Sequence, residues 1–108
     1  MRKIKLIPDV PFFNSCDATI LDVTDGERKR GKITIEYAKV DVQQLQRQGL
    51  DYEGALDYYK DRIDKTVRLY IAGDWTCIAG HDELMTIIEE HVKPYYDAPL
   101  QTTGVQNK

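Results

Sequence analysis

The sequence has little of what usually announces chemistry. Its two cysteines, Cys16 and Cys77, stand too far apart to form a redox or metal motif, and His81 and His91 lack an HxxxH-type spacing. None of the seven glycines falls in a GxGxxG or P-loop arrangement, so no phosphate cradle is encoded. No apolar run approaches the roughly 20 residues that cross a bilayer, which argues against a membrane-spanning helix. The opening stretch, MRKIKLIPDVPFF, has neither an unbroken apolar core nor a small-residue cleavage site. It reads as a first strand and not as a signal peptide, which makes the cytoplasm the expected location. There both thiols would stay reduced and act as small buried hydrophobes.

Positive charge is also scarce. The formal net charge of −3 weighs against phosphate-backbone binding, which relies on clustered Lys and Arg. One basic cluster exists, formed by Arg28, Lys29, Arg30 and Lys32, and it is the place where a nucleic acid would be touched.

What remains is an ordinary globular composition: 108 residues, 42% hydrophobic and 31% charged. That length gives one domain able to bury a core without staples. The domain is expected over residues 1–96. From Asp97 onward, DAPLQTTGVQNK has no apolar period and reads as a flexible tail.

Hydrophobic spacing supplies the elements. Lys3–Ile7 alternates as a half-exposed strand ended by Pro8, and Val10, Phe12 and Phe13 in the following segment are expected to pack on the core. Ala18–Thr24 and Lys32–Tyr37 form an antiparallel hairpin around Asp25-Gly26, with Ile33, Ile35 and Tyr37 on one face. Asp41 caps a short helix that Gly49 stops. A long helix follows between Leu50 and Trp75, with Asp51 as N-cap. Leu56, Tyr59, Ile63, Val67 and Tyr70 or Ile71 make its inner face, and Gly73 sits at its C-terminal cap. The rival is a hairpin of Val67–Ala72 with Trp75–Ala79 about Gly73-Asp74. A strand at Trp75–Ala79 leads into a last helix with Leu84, Ile87, Ile88 and Val92 buried, ended by Pro94. The fold class is α+β: a small antiparallel sheet of three to four strands packed against two main helices.

The candidate chemistry is weak. Cys77, His81 and His91 are single residues, and the two histidines are out of phase on a helix, so no metal site and no cofactor is expected. Asp57, Asp61 and Asp64 alternate with Lys60, Arg62 and Lys65, the pattern of a solvated helix face. The expectation is a protein that is not an enzyme.

Tyrosine is the unusual component. Tyr52 and Tyr58 are read as lying off the apolar stripe of the long helix, among carboxylates, where a ring offers contact area at low entropic cost. Tyr52, Asp57, Tyr58 and Asp61, with Trp75 beyond the helix, are the candidate protein-contact residues.

The run KITIEYAKVDVQQLQRQGLDYEGALDYYKDRID also resembles the ribbon-helix-helix pattern of small dimeric repressors and antitoxins: strand, short helix, glycine, second helix. The resemblance covers about a third of the chain and implies a DNA-binding regulator with Lys32, Thr34 and Glu36 facing the major groove. The residues themselves favour a non-catalytic binding or regulatory protein that occupies a site on another protein, with self-association as a homodimer included. A small acidic single domain without a catalytic signature is also typical of phage or mobile-element accessory and inhibitor proteins, a compositional analogy. Small-molecule sequestration and metal-dependent catalysis stand behind these readings.

Overall fold

The computed structural model describes residues 1–101, with the side chains of 39, 40 and 98–101 outside the description. The elements run β1 (Arg2–Pro8), β2 (Ser15–Asp22), β3 (Arg28–Glu36), α1 (Lys39–Arg47), α2 (Tyr52–Arg68), β4 (Trp75–Ala79) and α3 (His81–Gln101). The fold is α+β. The strands form one four-stranded sheet in the order β3-β2-β1-β4.

The first three strands are antiparallel, as the DGERKRG turn requires, but β4 lies parallel to β1. The sheet is therefore mixed and not purely antiparallel. A strand that joins its neighbour in parallel must be reached by a long connection, and α1 with α2 carries the chain from the β3 edge across to β4 at the β1 edge.

One face of the sheet is the core face. Ile4 and Leu6 of β1, Cys16, Ala18 and Ile20 of β2, and Ile33 and Ile35 of β3 are all buried there at period two. Against them lie Ala55, Tyr59, Ile63 and Val67 of α2, spaced by four and so on one side of that helix, and Leu84, Ile88 and Val92 of α3. Fully burying one such side chain is worth ~1.5–3 kcal/mol, so these interlocked stripes are the main source of stability.

The helix reading of residues 52–68 holds against the hairpin alternative. Asp51 Oδ1 accepts from the Gly54 N–H at 2.8 Å, the capping geometry that starts α2. The helix stops at Arg68, four residues before Ala72. Ending there lets Ile71 turn into the core, whereas Tyr70, an expected core residue, lies half-exposed over Gly31 and donates to the Lys32 carbonyl at 3.3 Å. In α1, the helix starts at Lys39 and Asp41 falls in its first turn, not at its cap.

Two further expectations fail. Pro94 does not end α3, which continues through Gln101. Tertiary bonds hold the extension: Gln46 Nε2 donates to the Tyr95 carbonyl at 2.7 Å, and the Tyr96 hydroxyl to the Leu50 carbonyl at 3.0 Å. The first replaces the helical donor that Pro99 lacks. Residues 97–101 of the expected tail thus belong to α3, and 102–108 lie outside the described residues.

The second failure is the β1–β2 loop. Val10, Phe12 and Phe13 are 83%, 64% and 96% exposed and do not pack on the core. The loop is nevertheless pinned. Asp9 N–H donates to the Asp17 carbonyl and Phe12 N–H to the Ser15 carbonyl, both at 2.8 Å, and Tyr37 N–H donates to the Asn14 carbonyl at 2.9 Å. The buried Tyr37 hydroxyl donates to the Ser15 carbonyl at 2.8 Å. These bonds close the loop with its apolar side chains outward.

At the opposite end of the sheet Asp22 is 2% exposed, with Arg2 and Arg30 at 3.3 and 3.2 Å. Hydrogen bonds from the Thr24 hydroxyl and backbone N–H, aided by Arg30 and Arg2, hold its carboxyl down at about 2. A buried carboxylate paired in this way ties the start of β1 to the β2–β3 hairpin.

Candidate functional site

The acidic side chains of α2 point outward because its stripe points in. Counting 100° per residue from Tyr59, Glu53, Asp57, Asp61 and Asp64 all fall on the outer half of the helix. Toward α3 this face dips into a groove of about 260 Å³. Leu56 and Met85 form its floor, the carboxylates of Glu53, Asp57, Asp82 and Glu89 line it, and Lys60 and His81 complete it. Asp82 stands in the first turn of α3, where negative charge complements the helix dipole. His81 Nε2 lies 3.9 Å from Asp64 Oδ1.

The candidate contact residues divide among several places. Asp57 lies in the groove. Tyr52 sits on the inward side of α2, seven residues from Tyr59 and so on the same face, not off the stripe as expected. It is half-buried and meets Tyr96 edge-on at 6.0 Å. Burial first, then the negative field of Glu89, Glu53 and Asp97, pushes its phenol upward, which places it beside the carboxylates.

Tyr58 faces the other flank, over Asp41 and Gln44 of α1 and Gln48 just after it, and accepts from Arg62 Nη1 at 3.3 Å. Asp61 is paired with Lys65 at 2.9 Å in an exposed i,i+4 bridge, worth only ~0.3–0.5 kcal/mol. Trp75 is remote from the groove. It shares the core face of the sheet with Arg2, its partner across β1, and Arg68 lies 5.7 Å over its ring.

The basic cluster is likewise dispersed. Arg30 turns to Asp22 and Lys32 to Asp9, at 3.2 and 3.4 Å. Arg28 lines a small cavity with Arg2 and Asp25, and Lys29 stands opposite Leu21 on the sheet. A wider depression of about 470 Å³, bounded by Met1, Arg2, Thr24, Asp25 and Asp74, opens at the same end, away from the groove.

Cys77, His81 and His91 stand apart. The Cys77 thiol donates to the Ala79 carbonyl at 3.3 Å. His91 is held between Tyr37 and Tyr95, at ring distances of 4.3 and 5.6 Å. Among the described residues, no three His, Cys, Asp or Glu side chains are grouped to hold a metal ion, and no helix is long and apolar enough to cross a membrane.

Two features escaped sequence reasoning. Glu53, Asp82 and Glu89 join Asp57 only once α3 is laid beside α2, and no sequence period reports that neighbour. Of the outward apolar residues only Val10 had a signal: Pro8 and Pro11 bracket it in a segment too short to turn back into the core, whereas nothing in the sequence marks Phe12 and Phe13 as outward.

No protein-family model, curated protein or solved structure matches the chain.

Proposed function

We propose that this chain is a non-catalytic protein-binding domain of regulatory type, and that its α2–α3 groove receives a basic, amphipathic segment of a partner. The observation that carries the reading is the composition of the groove, an apolar floor of Leu56 and Met85 beneath Glu53, Asp57, Asp82 and Glu89. An apolar floor rewards burial of a partner's aliphatic side chains, and the carboxylates select Lys or Arg beside them. Rim charges of this kind govern encounter and specificity more than affinity. Three reactive side chains are engaged elsewhere: Asp61 with Lys65, the Cys77 thiol with Ala79, and His91 with two tyrosines.

The test is fluorescence anisotropy with a labelled synthetic helix that carries leucines on one face and lysines beside them. Binding should weaken as salt rises and should be lost in Asp57→Lys/Glu89→Lys. Binding no stronger than that of the same peptide with glutamates in place of lysines would refute the reading, as would indifference to the double substitution.

A further inference from the structure

The face of the sheet turned away from the helices is uncovered, and its side chains sort by charge along the strands. Directly opposed residues share a face, so the register assigns them. At one end Lys3 opposes Thr76, Lys5 opposes Leu21, and Leu21 opposes Lys29. In the middle stand Ile7, Thr19 and Lys32. At the other end Asp17 opposes Thr34 and Ser15 opposes Glu36, while Asp9 N–H bonds the Asp17 carbonyl. The face runs from lysines to carboxylates. Lys5–Glu27 at 3.8 Å and Lys32–Asp9 at 3.4 Å are its exposed internal pairs, and both are solvent-screened. Beyond the acidic end stand Val10, Phe12 and Phe13.

We propose that this open face is the interface between two copies of the chain, packed sheet on sheet with their strands antiparallel. A twofold axis lying across the strands lays the lysine end of each copy on the carboxylate end of the other, both at once. Stacking in the parallel sense would oppose lysines to lysines. The antiparallel arrangement also carries the Phe12–Phe13 ridge of each copy toward Lys3, Lys5 and Leu21 of the other. There an aromatic face attracts an ammonium group and Leu21 offers apolar surface. The ridge is already ordered by its backbone bonds and by Tyr37, so little freedom is lost on docking.

Charge argues against the other occupants. An anionic bilayer is repelled by Asp9, Asp17 and Glu36, which stand at the same end of the sheet as the phenylalanines. Docking the ridge into the α2–α3 groove of another copy opposes carboxylates to carboxylates. The inference stands independently of the groove reading, because the groove lies on the helical side.

Sedimentation velocity on the full chain tests it. The wild type should be a dimer at about 0.05 M salt and dissociate more readily at about 0.5 M. F12S/F13S should self-associate at least about thirty-fold more weakly, with an unchanged circular dichroism spectrum, as for loss of an interface hot spot. K3E/K5E/K29E and D17K/E36K should each be monomeric alone and form a one-to-one heterodimer when mixed. If either multiple variant fails to fold, K29E mixed with E36K makes the same comparison. A monomeric wild type, a dimer indifferent to F12S/F13S, or reversed variants that do not pair would each overturn the proposal.

Discussion

Replacing Gly80 by alanine tests the junction from which the groove hangs. Gly80 is buried between β4 and α3, has φ +91°, and its carbonyl accepts from the Leu84 N–H at 3.1 Å in the first turn of α3. An L-residue held at positive φ costs ~1–2 kcal/mol. The added methyl would also lie 2.6 Å from the Leu6 carbonyl carbon and overlap its oxygen. Carbon contacts are comfortable only from about 3.5 Å, so β1 would have to retreat by roughly an ångström. Overpacking of this kind costs a further ~1–3 kcal/mol. The expected total is ~2–5 kcal/mol, a large share of the ~5–15 kcal/mol that holds a domain of this size. Gly73→Ala is the control: its φ is +79°, but an added Cβ meets nothing within 4 Å, so only the backbone term applies. Urea unfolding followed by the fluorescence of Trp75 measures both. The Gly80 variant should lose at least twice what the Gly73 variant loses. Equal losses would mean that Leu6 does not press on this junction, and the described packing of α3 against β1 would be wrong.

Asp22→Asn should destabilise the protein near neutral pH. The Asp22 carboxyl is lowered from 3.8 to about 2 by Thr24 with Arg30 and Arg2, so its contribution is present above 3.8 and lost as pH falls through about 2. The gap between variant and wild type should close over that range, and parallel pH profiles would refute it. Tyr37→Phe removes the hydroxyl that donates to the Ser15 carbonyl at 2.8 Å, which should cost ~1 kcal/mol and speed amide exchange at Phe12. Unchanged exchange there would dissociate Tyr37 from the order of the loop. His91 has a buried Nε2 without a partner, and burial pushes its pKa below 6.5 against a smaller opposing effect of the Tyr37 backbone. Stability should therefore be full above 6.5 and decline as pH falls below it, and His91→Phe should abolish that decline; a flat wild-type profile would refute it.

Elements with their own local instructions were legible in the sequence. Asp51 ahead of the stripe Tyr59, Ile63 and Val67 encodes both the start and the facing of α2, and Asp25-Gly26 encodes the β2–β3 hairpin. What escaped was decided by neighbours distant in sequence. The early end of α2 depends on whether Tyr70 or Ile71 fits the core, and periodicity accommodates both. α3 runs past Pro94, where Gln46 and Leu50 engage the residues after it, and neither contact leaves a mark within 81–101. The site was half legible. Asp57 and Asp61 are outward, as a charged helix face should be. Tyr52 was misplaced, although its seven-residue spacing from Tyr59 already sets it on the inner side. The groove could not be read, since half of its carboxylates belong to α3.

The topology separates the two surfaces and thereby constrains any partner. The crossover from β3 to β4 and the return into α3 lay α2 and α3 on one side of the sheet, which leaves the other side bare. In an antiparallel dimer through that bare side, the two grooves face away from each other. Sheets stack about 10 Å apart and a helical layer adds about 10 Å on each side, so the grooves are separated by on the order of 30 Å. A single short segment cannot span them. The dimer would therefore grip two basic segments on separate molecules, or two well-separated segments of one. Each site could then be individually weak, as exposed rim charges imply, because the second capture is made at the effective concentration set by the first. On that logic F12S/F13S, which touches neither groove, would still lower the avidity for an immobilised array of basic helices while leaving the affinity for one free helix unchanged.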